Sequence, residues 1–169
     1  MFSINDKVVY GAQGVCTIED IASLNLRGKP EKYYVLRRCS NDASVIYVPF
    51  ENEELISKMR RILSADEIYK IIESMPDETP DFIEDEAKRK EVCREILVSG
   101  DRVRIVRMIK ALYSHKKEQQ ANNRHLHQSD ERFLKEGEKL LHEEFALVLN
   151  IEPDEVLPFI LDRLNAKEA

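Results

Sequence analysis

The chain changes its pattern at Pro49, and that change constrains the fold more than any other feature of the sequence. Before it, short runs of Val, Ile and Tyr alternate with turn residues; after it, apolar residues recur at helical spacing. Lys7-Val8-Val9-Tyr10 leads into Gly11-Ala12-Gln13-Gly14 and then Val15-Cys16-Thr17-Ile18-Glu19-Asp20-Ile21. Two glycines in four residues mark a tight turn, because Gly accepts positive φ without steric cost. Residues 25–30 form a second turn, punctuated by Gly28 and Pro30. The runs Lys32-Tyr33-Tyr34-Val35-Leu36-Arg37-Arg38 and Ser44-Val45-Ile46-Tyr47-Val48 follow, joined by a polar connection over 39–42. Their β-branched and aromatic content predicts strands. Four or five short antiparallel strands in about 50 residues read as a small SH3-like or Tudor-like β-barrel.

Beyond Pro49 the pattern is helical. Ser64-Ala65-Asp66-Glu67 has the form of a capping box, followed by Ile68, Ile71, Ile72 and Met75. Residues 76–81 hold two prolines and three acids, which predicts a joint rather than a helix. A helix over about 85–98 then ends at Gly100. The next starts near Asp101 and holds Val103, Ile105, Val106, Met108, Ile109, Leu112 and Tyr113, most of them on one broad face, with Arg104, Arg107, Lys110 and Ser114 on the other. Asn122 and Asn123 open a polar loop. Ser129 is the expected cap of a third helix, with Asp130 and Glu131 in its first turn and Phe133, Leu134, Leu140, Leu141, Phe145 and Val148 in its core face. Pro153 opens a last helix containing Val156, Phe159, Ile160 and Leu164. The expected class is α+β: a β domain over 1–58 and a bundle of about five helices over 59–169.

The 169 residues carry a net charge of −6, but unevenly. Residues 87–124 hold +7, flanked by −6 over 59–86 and −6 over 125–169. A polyanion responds to the field within a Debye length of about 8 Å, so this block is the phosphate-facing candidate. The competing reading is a solvated helix face balanced by its acidic neighbours. Aromatic side chains do not interleave with the cations, apart from an inward Tyr113, which favours backbone contact over base stacking.

Catalytic signatures are missing: the sequence has no phosphate-cradling loop, no dinucleotide glycine fingerprint and no nucleophile elbow. His125 and His127 lie in a polar loop without a credible set of further metal ligands. Cys93 sits among apolar residues and reads as an inert buried thiol. Three widely spaced cysteines do not form a disulfide framework, and no run approaches the roughly 18 apolar residues of a membrane span. The expectation is a cytoplasmic, non-enzymatic protein without cofactor, metal, membrane or small-molecule substrate. At the barrel edge, Tyr33, Tyr34 and Tyr47 alternate with aliphatics, so one ring must face outward, a place suited to a partner's strand.

Several segments, in order and at matching spacing, carry a resemblance. They are Phe2-x-Ile4-x-Asp6-Lys7-Val8-Val9-Tyr10-x-x-x-Gly14-Val15, Tyr33-Tyr34-Val35-Leu36 and Val48-Pro49, then Ser99-Gly100-Asp101, Ala111-Leu112-Tyr113, Lys116-Lys117 and Glu144-Phe145-Ala146-Leu147-Val148-Leu149. Over nearly its whole length the chain resembles the CarD/CdnL family of bacterial transcription regulators. Its first part is similar to the polymerase-interacting module of the transcription-repair coupling factor. The resemblance implies that the barrel binds the β subunit of RNA polymerase. It also implies that the helical domain reaches promoter DNA at the upstream edge of the bubble and stabilises the open complex, in the bacterial cytoplasm and, through polymerase, at the nucleoid. A protein that holds melted DNA better than duplex shifts that equilibrium by the difference, about tenfold for 1.4 kcal/mol.

On this reading the polymerase-binding candidates are Leu24, Arg27, Tyr34 and Tyr47, and the DNA-binding candidates are Lys88, Arg89, Arg104, Arg107, Lys110 and Arg132. Three departures stand out. Glu86 occupies the place of a Trp that wedges at the bubble edge in many members, Leu24 and Tyr47 stand where some members use arginines, and Glu131 replaces a basic residue beside the retained Arg132. The loop over 122–128 is also longer than usual. The alternative from a different class is a protein–protein adaptor that binds polymerase or another partner without touching DNA. An RNA-binding barrel is disfavoured because residues 1–58 carry no net positive charge.

Overall fold

A computed structural model describes residues 1–40, 44–77 and 80–168. The chain divides into two compact units, Met1–Ile62 and Leu63–Ala169. Residues 41–42 of the expected polar connection and residues 78–79 of the expected acidic joint lie outside the described residues.

The first unit is one antiparallel sheet of β1 (Lys7–Tyr10), β2 (Val15–Leu24), β3 (Glu31–Arg38), β4 (Val45–Pro49) and β5 (Met59–Arg61), with a short helix α1 (Glu53–Ser57) before β5. The strand order is β4-β3-β2-β1-β5. The expected small antiparallel β unit is present, and its hydrogen-bonded ladder is open, with β4 and β5 as edges. Gly11 and Gly14 turn the chain between β1 and β2 at φ of 46° and 79°, where a side chain would be strained. The unit ends at Ile62 rather than at residue 58, because Val9 of β1 pairs with Arg60 of β5.

One irregularity sets which residues face outward. The β2–β3 register shifts between Ile18 and Asp20, so Glu19 is an extra residue in β2. A bulge reverses the alternation beyond it. Ile18 therefore pairs with Leu36 over the core, while Leu24, an even number of residues further on, pairs with Glu31 on the outer face. The core itself is Val8, Tyr10, Cys16, Ile18, Tyr34, Leu36, Val48 and Met59.

The second unit contains α2 (Ala65–Ser74), α3 (Glu86–Ser99), α4 (Arg102–Ala121), α5 (Gln128–Leu149) and α6 (Val156–Glu168). Its helix ends follow local chemistry. Ser64 and Glu67 close the capping box on α2, Asp85 and Asp101 accept hydrogen bonds from the first turns of α3 and α4, and Gly100 at φ 68° ends α3. Each such cap is worth about 1 kcal/mol. Ser129 is not the cap of α5: the carbonyl of His127 already accepts the first intrahelical bond, from Glu131 N–H at 3.1 Å, so Ser129 lies inside the first turn. Pro153 opens a 3₁₀ turn, Pro153–Glu155, that runs into α6.

Two apolar clusters hold these helices. Ile68 and Ile72 of α2 meet Ile105, Val106, Leu141, Phe145, Val156 and Ile160; Cys93 and Leu97 of α3 meet Met108, Leu112, Phe133 and Leu134. Burying one such side chain fully contributes about 1.5–3 kcal/mol. α5 packs against α4 at Gly137, where an added Cβ would lie 2.9 Å from Met108 Cε. Tyr113, expected inward, is exposed on α4, and so is Val103. The inward face of that helix is already filled by Ile105, Val106, Met108 and Leu112.

Candidate functional site

Two surfaces carry the candidate residues, one in each unit. In the sheet unit, Tyr33, Val35 and Arg37 alternate with the core residues Tyr34 and Leu36, so they share the outer face. Tyr47 pairs with Val35 and Leu24 with Glu31, which puts both candidates on that same outer face. Tyr47 is 46% exposed and its ring meets Tyr33 edge-on, with centroids 6.5 Å apart. Tyr33 lies beneath and donates its hydroxyl to Glu31 at 2.8 Å. That bond raises the Tyr33 pKa and, together with Lys29 at 3.1 Å, holds the Glu31 carboxyl below its ordinary value. Arg27 is exposed in the β2–β3 turn.

Tyr34 is a correction. It is only 4% exposed, stacks on Phe50 with centroids 4.2 Å apart, and packs in the core. Strand alternation decides this: Tyr33 and Val35, themselves buried, lie on the opposite face of β3, so Tyr34 between them points into the cluster of Val8, Ile18 and Leu36. The outer face on the edge side of the sheet thus carries an aromatic pair, Tyr47 on Tyr33, with Leu24 and Val35 beside charged Glu31 and Arg37, and is flanked by the turn that holds Arg27 and Lys29.

In the helical unit, the basic block separates into structural and surface cations. Arg89, a DNA-binding candidate, is 3% exposed. Its Nε and one terminal nitrogen donate to the two carboxylate oxygens of Asp130 at 2.8 and 2.9 Å, and the other donates to Ile83 O at 2.8 Å. Hydrogen bonding to Asp130 keeps the guanidinium charged, but its donors are spent inside the protein and cannot reach phosphate. Arg102 is withdrawn in the same way, onto Glu144 at 2.8 and 2.7 Å, and Glu144 also accepts the Leu63 N–H at 3.0 Å.

The remaining candidates do not form one patch. Val103, Arg107, Lys110, Ser114 and Lys117 are spaced i, i+4, i+7, i+11 and i+14 along α4, which places them in one stripe. Arg104 lies beside it, 4.0 Å from Glu95. Lys88 is exposed on α3. Arg132 sits apart, in a mixed-charge hollow with Glu86, Lys90, Glu131, Lys135 and Glu136. Glu86 begins α3, where a carboxylate suits the helix dipole, and accepts from Lys90 at 2.9 Å. That hydrogen bond lowers its pKa, so the position carries a settled negative charge. Sequence reasoning passes over Phe82. Its ring is stacked 3.7 Å from His115 and lies 4.5 Å beneath the Arg89 guanidinium. Two apolar residues directly after Pro80-Asp81, in an otherwise acidic joint, are the signal that could have found it.

Among the described residues, no group of three or more His, Cys, Asp or Glu side chains could hold a metal ion. No helix among them is long and apolar enough to cross a membrane. A family model described as the CarD-like/TRCF RID domain matches residues 2–63, nearly the whole sheet unit. The first unit is therefore a CarD-like domain, similar to the RNA polymerase-interacting domain of the transcription-repair coupling factor and Tudor-like in fold. Domains of this type are interaction modules, and RNA polymerase is the partner the type implies, in a transcription-related protein.

Proposed function

We propose that this protein, through its CarD-like domain, binds the β subunit of RNA polymerase with the outer face of β2, β3 and β4, and steadies the open promoter complex with the basic stripe of α4. The observation that carries the reading is the half-exposed Tyr47 ring, seated on Tyr33 at an edge of the sheet in a domain of the polymerase-interacting type. An aromatic anchor on an edge strand is a surface for a partner's strand. Leu24 and Arg27 extend it.

The DNA role rests on Arg104, Arg107 and Lys110, with Lys88 as a further contact. They would touch backbone phosphate and position the complex without reading sequence. Glu86 at the start of α3 cannot wedge against a base step, and Arg132 beside it shares a hollow with three carboxylates. Contact by this protein would therefore centre on α4. The test is open-complex lifetime under competitor challenge with Arg104→Glu, Arg107→Glu and Lys110→Glu combined. A shorter lifetime with unchanged polymerase affinity supports the reading; an unchanged lifetime removes DNA from it.

The settled charge of Glu86 favours a second reading, an adaptor that holds polymerase or another partner and leaves DNA alone. The same lifetime measurement separates the two.

A further inference from the structure

Helical periodicity turns Tyr113 inward, which leaves the basic block without an interleaved aromatic; the structure puts its ring outside. Tyr113 is 50% exposed, and the Lys117 ammonium lies 4.9 Å from its ring centroid. The two are spaced i, i+4, so ring and cation are neighbours on the helix surface. Lys117 is itself exposed and, among the described residues, makes no ion pair.

The surroundings leave this end of α4 cationic. From Lys110 to Ala121 the helix contains one carboxylate, Glu118. It lies about 140° round the helix from Tyr113 and 3.9 Å from His115. From α5, Glu131 is taken up by Lys116 at 2.9 Å. Lys110, one turn before Tyr113, shares a hollow with Asp77, so Lys117 is the cation that pairs with the ring.

We propose that Tyr113 is a stacking platform for an unpaired base of single-stranded nucleic acid, with Lys117 on the adjoining phosphate. This rests on the reading that α4 faces DNA, and it adds which form of DNA the helix prefers. Phosphate contacts accept duplex and single strand alike. A ring needs a base with an open face, and in a duplex each base is already stacked between its neighbours. Tyr113 therefore supplies the preference for melted DNA that phosphate contacts lack, and such a preference is what shifts the equilibrium toward an open complex. A cation is held only weakly over an exposed ring, so Lys117 can swing to a phosphate as a base arrives. An acidic peptide would satisfy Lys117 but offers the ring no flat face.

The experiment is an anisotropy titration of the full chain at low salt against labelled oligothymidylate, alone and paired with oligodeoxyadenylate. Tyr113→Ala should weaken binding of the single strand about tenfold, the worth of one base stacked on an aromatic, and leave the duplex unchanged. Tyr113→Phe keeps the ring and should bind as wild type does. Lys117→Glu should weaken both forms. The chain has no Trp, so tyrosine emission is read directly, and the single strand should quench a share of it that Tyr113→Phe no longer shows. An unchanged urea midpoint confirms that the variants are folded. Tyr113→Ala affecting both forms alike, or neither, would overturn the proposal; Lys117→Glu still weakening the duplex would then keep α4 as a phosphate face. An oligoaspartate peptide of equal charge that competes as well as the strand would overturn it, as would the absence of saturable single-strand binding.

Discussion

Arg89 and Asp130 face each other through two parallel hydrogen bonds of 2.8 and 2.9 Å, both withdrawn from solvent, and so join α3 to α5. A buried pair of this kind is weak evidence for net stability, but breaking it strands a charge in the interior. Asp130→Ala should therefore cost about 3–5 kcal/mol in urea unfolding. Arg89→Met combined with Asp130→Leu should recover most of that loss. If the single and double variants unfold alike, the pair is not the cause.

The three thiols should differ in reactivity. Cys39 is exposed, whereas Cys16 and Cys93 are buried, so a thiol reagent should find one fast site in the folded protein and three after unfolding. Cys93 also makes a pH prediction. Its folded value of about 11 lies above its ordinary one, chiefly through desolvation, so the unfolded chain loses the proton first as pH rises. The contribution of Cys93 is constant below about pH 9 and falls between about pH 9 and 11, by roughly 2–3 kcal/mol. Subtracting the profile of Cys93→Ala isolates this contribution. Parallel profiles would contradict it.

Gly137 should tolerate little. Val there would press on Met108 Cε and on Ile109 Cγ1, which lie 2.9 and 3.2 Å from the first added carbon. Overpacking of this sort costs about 1–3 kcal/mol. The urea midpoint of Gly137→Val should fall with the slope unchanged; an unaltered midpoint would mean that the flexible end of Met108 and the Ile109 side chain give way.

The α4 stripe predicts a salt signature. Affinity for duplex DNA should fall steeply with salt, and reversing Arg104, Arg107 and Lys110 should flatten the slope by about 0.9 for each phosphate that the variant no longer neutralises. Arg89 cannot be used in this way, because its replacement would break the buried pair with Asp130. A slope unchanged by the triple variant would assign the +7 block to solvation alone.

Much of the fold is legible in the sequence, and the exceptions have physical causes. The strands, the Ser64 capping box and the Gly100 stop are local devices, so local reading finds them. The β-domain boundary moves because Met59–Arg61 pairs with a strand some fifty residues away, which no local pattern records. Tyr34 and Tyr33 are adjacent and chemically identical, and only strand alternation together with the Glu19 bulge assigns their faces. Arg89 is misassigned for a similar reason: the sequence counts charges, while its partner Asp130 lies 41 residues away. Periodicity turns Tyr113 inward, but the core face of its helix is already filled.

The central claim is that the outer face around Tyr47 holds RNA polymerase. The direct measurement is an anisotropy titration of the full chain with bacterial RNA polymerase core enzyme, comparing wild type with Tyr47→Ala. An anchoring aromatic is worth about 2 kcal/mol or more, so affinity should drop at least tenfold while the urea midpoint stays put. Tyr34→Ala serves as the contrast, since it removes a core ring and should lower stability by about 3–5 kcal/mol. Saturable binding that Tyr47→Ala leaves untouched would contradict the account and move the polymerase contact off this face.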